Sequence, residues 1–363
     1  MSRGIARFRR PMRSTTTLIS LVAVGLVSHV SLVSAHHSRA NFQLDNVVEM
    51  SGIVTEFKWA NPHVYFEMEL EDGETWLIEG HSVPGVLGLG WTRDTIKVGD
   101  RIRIGANPDL DVDRKFALVQ WVVAADGVAY PGFARARIPS ELLAVAASAD
   151  RALRGDGLPV EPSTDFSGVW EVDLRGVNLA TGVFDPARGL PLTALGEELL
   201  AAYDPRENPN FQCIPSGLPF TGPYGLKFTR YDDRLVMEKE HQDVRISVWL
   251  DQAAARLDQP PSHLGLSVGR LEGDDTLVFE TTRFTPAKWG LARGVDSSDK
   301  KRISARFELQ PGGRAINFSY EITDPEYLTA PLVRTGVLLK QPEREFIDEP
   351  CDPEISSLHL TDE

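Results

Sequence analysis

Alternation of apolar and polar residues is the dominant pattern of the chain from about residue 50 to residue 127. The first run consists of Ile53, Thr55, Phe57 and Trp59 with Val54, Glu56 and Lys58 between them. Asn61-Pro62 interrupts it, a second run extends from Val64 to Leu70, and Asp72-Gly73 is a hairpin signal. Because side chains on one face of a strand recur every second residue, these and later runs predict five strands. Five short strands in about 80 residues predict a small closed barrel of the oligonucleotide/oligosaccharide-binding type.

The C-terminal part carries the same pattern over a longer stretch. Its runs of alternating apolar positions are Leu235/Met237, Ile246/Val248/Leu250, Leu277/Phe279, Ile303/Ala305/Phe307/Leu309, Ile316/Phe318/Tyr320/Ile322 and Val333/Thr335/Val337/Leu339. Turn signals at Asp232-Asp233, Gly273-Asp274 and Gly312-Gly313 join several neighbours as hairpins. We therefore expect an antiparallel meander, which removes its unpaired edges by closing into a larger barrel. Apart from a helix expected between Thr193 and Tyr203, the fold class is all-β.

The first 35 residues have the pattern of an export signal. Five arginines precede an apolar stretch from about Thr17 to Val33, which ends in the small residues of Val33-Ser34-Ala35. Cleavage there gives a mature chain that starts at His36. The alternative is an uncleaved membrane anchor, although His29 and several serines interrupt a segment that is already short for a bilayer span.

Composition divides the rest of the chain into three parts. Residues 36–128 form the predicted small barrel, and residues 165–363 form the predicted larger one. Between them, residues 129–164 begin with Tyr130-Pro131-Gly132, continue through an alanine-rich stretch from Glu141 to Arg154 and end in a loop-like sequence. We interpret this part as a linker that contains one helix.

Net charge excludes two classes of partner. The chain has 38 basic and 52 acidic residues and a net charge of −14, and loss of the five signal arginines lowers this to −19. So acidic a chain repels nucleic acid and anionic lipid. We expect no nucleic-acid partner, no stable membrane insertion after signal cleavage, and a periplasmic or secreted location.

Cys213 and Cys351 are the two cysteines of the chain. An even number of cysteines in an oxidising compartment predicts a disulfide. The alternative is a pair of unlinked buried thiols, because pairing requires the two Cα atoms to lie within about 7 Å of each other.

The histidines carry the clearest candidate chemistry. After cleavage, the free amine and the imidazole of His36 would offer Cu(II) two nitrogen ligands, and His37 or His63 would supply a third in the flat geometry that copper prefers. Cu(II) is therefore the expected metal, and no nucleotide cofactor is expected. The alternative is a frayed terminus with solvent-exposed imidazoles and a His63 that caps a turn.

A second group of candidates lies in the larger barrel. If two strands form a hairpin around residues 240–245, Glu240 and Arg245 would pair, with His241 close by, and the three would act as acid and base or hold a polar ligand. The alternative is an outward-facing ladder of cross-strand ion pairs, each contributing about 0.2–1 kcal/mol. Four further polar or aromatic residues near strand ends are candidates for ligand binding at a barrel mouth: Glu280, Arg283, Trp289 and Tyr327.

Several short motifs of the N-terminal part resemble a family of exported bacterial proteins with a domain of unknown function. These motifs are Ala35-His36-His37-Ser38, Gly52-Ile53-Val54, Trp59-Ala60-Asn61-Pro62-His63, Gly90-Trp91-Thr92-Arg93-Asp94 and Gly99-Asp100. The remainder resembles a region often fused to that family, and Gly168-Val169-Trp170 is similar to the Gly-x-Trp signature of lipocalin-like barrels. The resemblance implies an OB-like barrel followed by a lipocalin-like one. It implies no reaction.

These observations favour a binding or accessory protein. The larger barrel would hold an apolar or amphipathic small molecule as its hydrophobic partner, and the mature terminus would bind copper. The alternative is a cofactor-independent acid/base enzyme of the isomerase, cyclase, hydratase or lyase type, acting on a hydrophobic substrate through Glu240, His241 and Arg245. A purely structural or interaction module of the cell envelope is the third class of function. What separates the three is whether the larger barrel has a cavity and whether charged residues point into it.

Overall fold

A computed structural model of the chain describes residues 41–133, 136–146, 165–173, 189–215, 217–219, 224–240, 244–251, 255, 258–342 and 344–360. The expected export signal, His36, His37, most of the expected linker and His241 lie outside these residues. No helix in the described part of the chain is long and apolar enough to cross a membrane.

The N-terminal sheet closes into a small barrel. Its strands are β1 (Val48–Lys58), β2 (Tyr65–Leu70), β3 (Thr75–Glu79), β4 (Arg101–Pro108), β5 (Phe116–Val123) and β6 (Ala129–Pro131). A short helix, α1 (Val83–Leu87), lies between β3 and β4. The ring runs β1-β2-β3-β5-β4 and returns to β1, with β3 and β5 parallel and β6 paired to the edge of β5. The expected small five-stranded barrel is confirmed.

Strand β1 changes faces at a β-bulge. Val54 is buried at 1% exposure, whereas Ile53 is 41% exposed. The pairing of β1 with β2 then skips one residue between Val54 and Glu56, and beyond the bulge Phe57 packs against the barrel core. A bulge adds one residue to one strand and so reverses which positions face inward. The sequence pattern placed Ile53 and Phe57 on the same face of β1, but the bulge places Ile53 on the outer face and Phe57 on the inner face.

The larger barrel contains nine strands. They are β7 (Gly168–Val172), β8 (Leu226–Arg230), β9 (Arg234–Lys239), β10 (Val244–Trp249), β11 (Leu266–Glu272), β12 (Thr276–Thr282), β15 (Arg302–Leu309), β16 (Ala315–Thr323) and β17 (Leu332–Lys340). The hairpin of β13 (Ala287–Ala292) and β14 (Val295–Ser297) is inserted between β12 and β15. The all-β class is confirmed.

One pair of neighbours departs from the expected antiparallel meander. Strands β10 and β11 are parallel, with Val248 opposite Ser267 and Trp249 opposite Val268. Between Trp249 and Leu266 the chain therefore crosses from one end of the barrel to the other before β11 begins. Parallel neighbours always require such a crossing connection.

Aromatic rings fill the middle of the larger barrel. The ring of Phe307 lies 6.0 Å from Phe228, 5.7 Å from Phe279, 6.0 Å from Phe318 and 5.6 Å from Tyr320. These spacings are typical of tilted and edge-on aromatic packing. A ligand of this barrel would consequently bind towards one end rather than through the centre.

One end of the larger barrel is covered by inserted elements, and we call it the covered end. It is the end at which β9 ends and β10 begins. The β13–β14 hairpin leaves the barrel there, and its residues Leu291, Ala292 and Val295 join the barrel core. The helix α2 (Ala194–Ala201), capped by the side chain of Thr193, packs against β14. This helix confirms the one expected from Thr193.

Residues 341–360 form a C-terminal strap that contacts both barrels. At the larger barrel, the backbone N–H of Gln341 donates to Val169, and Arg344 forms ion pairs with Glu171 and Glu240. At the small barrel, Ile347 packs against the core. The strap ends in the short helix α3 (Pro353–Ser356) and a 3₁₀ turn over Leu358–Leu360.

A disulfide fixes the strap. Cys213 and Cys351 are joined, with their Cα atoms 5.8 Å apart. Cys351 also forms a β-bridge with Asn61, whose side chain donates to the Glu349 carbonyl at 3.0 Å. The predicted disulfide is confirmed, and the strap it holds lies against the turn that precedes His63.

Candidate functional site

The inner face of the larger barrel follows from strand register. On β9, Leu235 and Met237 belong to the barrel core, so Lys239 shares their face. On β17, Leu332 and Leu338 belong to the core, so Arg334 and Lys340 share theirs. On β8, Arg230 lies directly opposite Leu235 of the core, so it also takes an inward position.

Every charged side chain at an inward strand position of this barrel is basic. These are Arg230, Lys239, Arg334 and Lys340. The acidic residues of the same nine strands all take outward positions, and they are Glu171, Glu238, Glu272, Glu280, Glu308 and Glu321. The interior is thus apolar and electropositive, in a protein whose net charge is −14.

Lys239 is the most deeply placed of these cations. It is 5% exposed, and its neighbours across the sheet are Leu226 and Val244. Its Nζ lies 5.3 Å from the ring centre of Tyr224, a cation–π distance. Burial lowers the pKa of Lys239 to about 8, because an apolar environment disfavours the ammonium.

Tyr224 links Lys239 to the β13–β14 hairpin. Burial raises the pKa of Tyr224 to about 12, and the positive charge of Arg293 opposes that rise. Arg293 occupies the turn between β13 and β14, next to Gly294, which packs closely on Tyr203. Lys239, Tyr224 and Arg293 therefore form a basic group at the covered end.

Four inward-facing residues of β7, β16 and β17 are only half-buried. Val172, Phe318, Arg334 and Gly336 lie on neighbouring strands and remain half-buried, whereas most inward positions are fully buried. Gly336 lies directly opposite Phe318, and Arg334 lies opposite Tyr320. Burial lowers the pKa of Arg334 from its ordinary value. An apolar surface beside a basic group is compatible with binding an amphipathic ligand.

The residues expected to act as acid and base are not arranged as predicted. Arg245 pairs with Glu238 instead of Glu240, because the register places Arg245 directly opposite Glu238. Glu238 also contacts Lys227 at 3.6 Å, so the three form the outward ladder given as the alternative. His241 lies outside the described residues.

Glu240 has a structural environment that sequence reasoning missed. It is 1% exposed and forms an ion pair with Arg344 of the strap. Its carboxylate also accepts hydrogen bonds from the backbone N–H groups of Gly225 at 2.7 Å and Ile347 at 3.1 Å. Both carboxylate oxygens are therefore engaged. Since 104 residues separate Glu240 from Arg344, no local pattern indicates the pair.

The four predicted ligand-binding residues lie in different surroundings. Glu280 is exposed on the outer face of β12. Arg283 is exposed and donates to the Gln259 carbonyl at 2.6 Å. Trp289 is half-buried, with its ring 5.2 Å from Tyr203, and Tyr327 is half-buried against the barrel core. Arg283, Trp289 and Tyr327 occur near the covered end. A ligand-binding role for all four residues stays a prediction.

The small barrel contains a separate cluster around His63. The Nδ1 atom of His63 lies 2.8 Å from Oε1 of Glu79, whose side chain is 1% exposed, whereas that of His63 is 23% exposed. Tyr65 stands directly opposite Glu79 in the β2–β3 pairing. Burial and the adjacent Glu79 charge raise the pKa of Tyr65 well above its ordinary value, so its hydroxyl remains protonated.

The turn before His63 is held from both sides. The side chain of Asn61 is fully buried, its Oδ1 accepts from the Val83 backbone N–H, and its Nδ2 donates to Glu349 of the strap. Glu79 lies next to Nδ1 of His63, so Nε2 is the ring nitrogen that a metal could take. No group of three or more His, Cys, Asp or Glu side chains in the described ranges is placed to hold a metal on its own.

Comparison with known proteins matches the chain as far as the first residue of β5 in the small barrel. Residues 23–116 match a family of unknown function (DUF6152). That stretch includes His63, Tyr65 and Glu79 and does not extend to the larger barrel. No curated protein matches the chain. The family supplies no activity, so function has to be inferred from the two sites.

Proposed function

We propose that this protein is an exported binding protein whose larger barrel holds an apolar or amphipathic small molecule at its covered end. The observation that carries the proposal is the inner face, which is mostly apolar and aromatic and has half-buried positions at Val172, Phe318 and Gly336. The confirmed disulfide is consistent with an oxidising, periplasmic or secreted location.

The structure gives less support to the enzyme alternative. That alternative requires Glu240, His241 and Arg245 to act as acid and base. Arg245, however, is exposed and paired with Glu238, and Glu240 forms an ion pair with Arg344 of the strap. A general base needs an available lone pair within reach of a substrate proton. Binding without chemistry therefore accounts better for the described residues.

We expect mature protein to bind the neutral fluorescent probe N-phenyl-1-naphthylamine saturably. Val172→Trp should weaken binding about tenfold or more, since the larger side chain would fill the space that the proposed ligand occupies. Val333→Trp is the matched control, because Val333 lies on β17 at 56% exposure, facing outward, and this variant should bind like the wild type. Fluorescence titration measures both. Absence of saturable binding would contradict the proposal, and equal losses in the two variants would place the site elsewhere.

A second function, Cu(II) binding at the mature terminus, is favoured by the Glu79–His63 contact. A ligating histidine commonly donates its other ring N–H to a carboxylate, which raises the basicity of the ligating nitrogen. His63 would then supply Nε2, while the amine and imidazole of His36, assisted by His37, would supply the remaining nitrogens. The proposal depends on cleavage before His36, which intact mass and amino-terminal sequencing would establish.

We expect three changes to weaken Cu(II) binding in calorimetry: one extra residue before His36, His63→Ala, and Glu79→Gln. The last should cost about 10–100-fold, as outer-shell carboxylates typically do. Affinity should also fall below about pH 6.5, because the imidazoles must lose their proton to bind. His241→Ala is the control and should bind normally. Equal affinity of the extended and native termini would rule out the terminal chelate.

A further inference from the structure

We infer that Lys301 is the reactive amine of a carbonyl-binding site at the covered end, flanked by His263 and Ser297. The inference deepens the proposed function and rests on it, because it names the chemical class of the ligand of the larger barrel. That class is an aldehyde or ketone with an apolar tail, which would be held on the lysine as an imine.

Lys301 lies inside the barrel, one residue before β15 begins. It is 4% exposed and comes two residues before Ile303, which belongs to the barrel core. Its Nζ donates to the carbonyl oxygen of Gly290 on β13 at 3.1 Å and lies 4.2 Å from the ring centre of Phe284. The amine is thus held between the β13–β14 hairpin and an aromatic core residue, at the end of the barrel where we place the ligand.

Burial increases the share of neutral, nucleophilic amine at Lys301. It lowers the pKa of Lys301 to about 8, and the negative charge of Asp324 opposes this shift. An exposed lysine has a pKa of about 10.4, so at pH 7 the neutral amine is roughly 100-fold more abundant at Lys301. Only the neutral amine has the electron pair that attacks a carbonyl carbon.

His263 places a second nitrogen base beside this amine. It lies in the connection that precedes β11, where the adjacent Ser262 forms a β-bridge with Phe284. Its Nε2 atom is buried and has no hydrogen-bond partner among the described residues. Burial and the positive charge of Lys301 lower the pKa of His263, so its imidazole is neutral at pH 7 and can carry a proton between two atoms of a reacting ligand.

Ser297 supplies a buried hydroxyl on the hairpin. It is 1% exposed, and its Oγ also lacks a hydrogen-bond partner in the part of the chain that the structure describes. A Cβ atom on Gly290 would lie 2.1 Å from that Oγ, so the hydroxyl faces the residue whose carbonyl holds Lys301. Buried polar groups are normally hydrogen-bonded, and these two unpartnered ones beside an amine are suited to the oxygen of a carbonyl ligand.

The reaction balances without a further reagent. The Lys301 nitrogen attacks the carbonyl carbon and forms a C–N bond, while His263 carries one nitrogen proton to the carbonyl oxygen. The C–O bond then breaks, and the oxygen leaves as water with the second nitrogen proton, so that a C=N double bond remains. Asp324, whose carboxylate accepts hydrogen bonds from Ser298 and Glu326, supplies the negative charge that stabilises the imine when it is protonated.

The test compares Lys301 with Lys300 in the same unmodified protein. Mature protein is incubated at pH 7 with decanal and sodium cyanoborohydride, which reduces an imine to a stable secondary amine. Tandem mass spectrometry should show Lys301 alkylated about tenfold or more faster than Lys300, whose side chain is 62% exposed and pairs with Glu326. The ratio should fall as the pH rises towards 10, because Lys300 gains neutral amine there and Lys301 already has it. Alkylation of Lys301 no faster than that of Lys300 would overturn the inference.

Competition and two variants locate the site. Excess decan-1-ol, which has the tail but no carbonyl, should slow the alkylation of Lys301 several-fold and leave that of Lys300 unchanged. His263→Phe and Ser297→Ala should each slow the alkylation of Lys301 about tenfold, since they remove the proton carrier and a hydrogen bond to the oxygen. Both should bind N-phenyl-1-naphthylamine like the wild type. Ser304→Ala is the matched control, because Ser304 is exposed on the outer face of β15, and it should react normally.

The outcomes separate this inference from the proposed function. Saturable binding of N-phenyl-1-naphthylamine without preferential alkylation of Lys301 would overturn the carbonyl site and leave the binding function intact. Absence of both would overturn both. An unchanged rate in His263→Phe would remove His263 from the site, and failure of decan-1-ol to protect Lys301 would overturn the apolar tail.

Discussion

Replacing Arg344 by methionine is expected to lower the free energy of unfolding by about 3–5 kcal/mol. Arg344 is 8% exposed and pairs with Glu240, which is 1% exposed, and with Glu171 at 2.6 Å. Removing the guanidinium leaves the Glu240 carboxylate buried without its counter-charge, and the remaining N–H donors from Gly225 and Ile347 compensate it only in part. Loss of one partner of a buried ion pair is therefore much more costly than loss of an exposed pair.

Urea denaturation followed by circular dichroism measures this change. The matched control is Arg245→Met, because Arg245 pairs with Glu238 on the exposed outer face, and we expect a change of at most about 1 kcal/mol there. The double variant Arg344→Met/Glu240→Gln should regain part of the loss, since a neutral amide is less costly to bury than a carboxylate. A loss below about 1 kcal/mol in Arg344→Met would show that the strap does not depend on this pair.

Replacing both Cys213 and Cys351 by serine is expected to destabilise the protein by a comparable amount. The two cysteines are 138 residues apart, and in the chain-entropy model the closure of so long a loop contributes about 5 kcal/mol. The bond also holds the strap against Asn61, so its loss should loosen the packing of Ile355 and Leu358 on the small barrel. Measured values for disulfides often fall below the model, and a loss of about 2–5 kcal/mol is the range expected on removal of a native bond.

The same denaturation experiment, with and without reductant, provides the control. Reductant should destabilise the wild type to the level of the double serine variant and should leave the variant unchanged. If the wild type and the variant unfold at the same urea concentration without reductant, the bond does not stabilise the protein.

The proposals for the two barrels concern different parts of the chain and fail separately. Copper binding depends on His63, Glu79 and the mature terminus, whereas ligand binding depends on the inner face around Val172 and Phe318. Variants at one site serve as controls for the other, because no described contact joins Glu79 to Lys239 directly. The matched family of unknown function covers the first site, and the second site therefore rests on the structure alone.

The sequence by itself determined the class of the fold. Alternation with a period of two and glycine-containing turns are local properties, so the hairpins of β11–β12 and β15–β16 could be located from the residues alone. The helix after Thr193 was likewise predicted from local sequence. The disulfide was predicted from the even number of cysteines, but unlinked thiols stayed possible until the structure placed the two Cα atoms 5.8 Å apart.

Only the tertiary structure decided which residues meet at each site. Glu240 and Arg245 are close in sequence and were expected to pair. Strand register instead places Arg245 opposite Glu238, and Glu240 pairs with Arg344 of the strap. The bulge in β1, the parallel β10–β11 pair and the contact of His63 with Glu79 likewise arise from backbone pairing between distant segments. A period of two shows that a strand has two faces, but which face points inward is fixed by the neighbouring strands. On β9 the neighbouring strands place Lys239 on the inner face, so it is a buried cation and not a surface lysine.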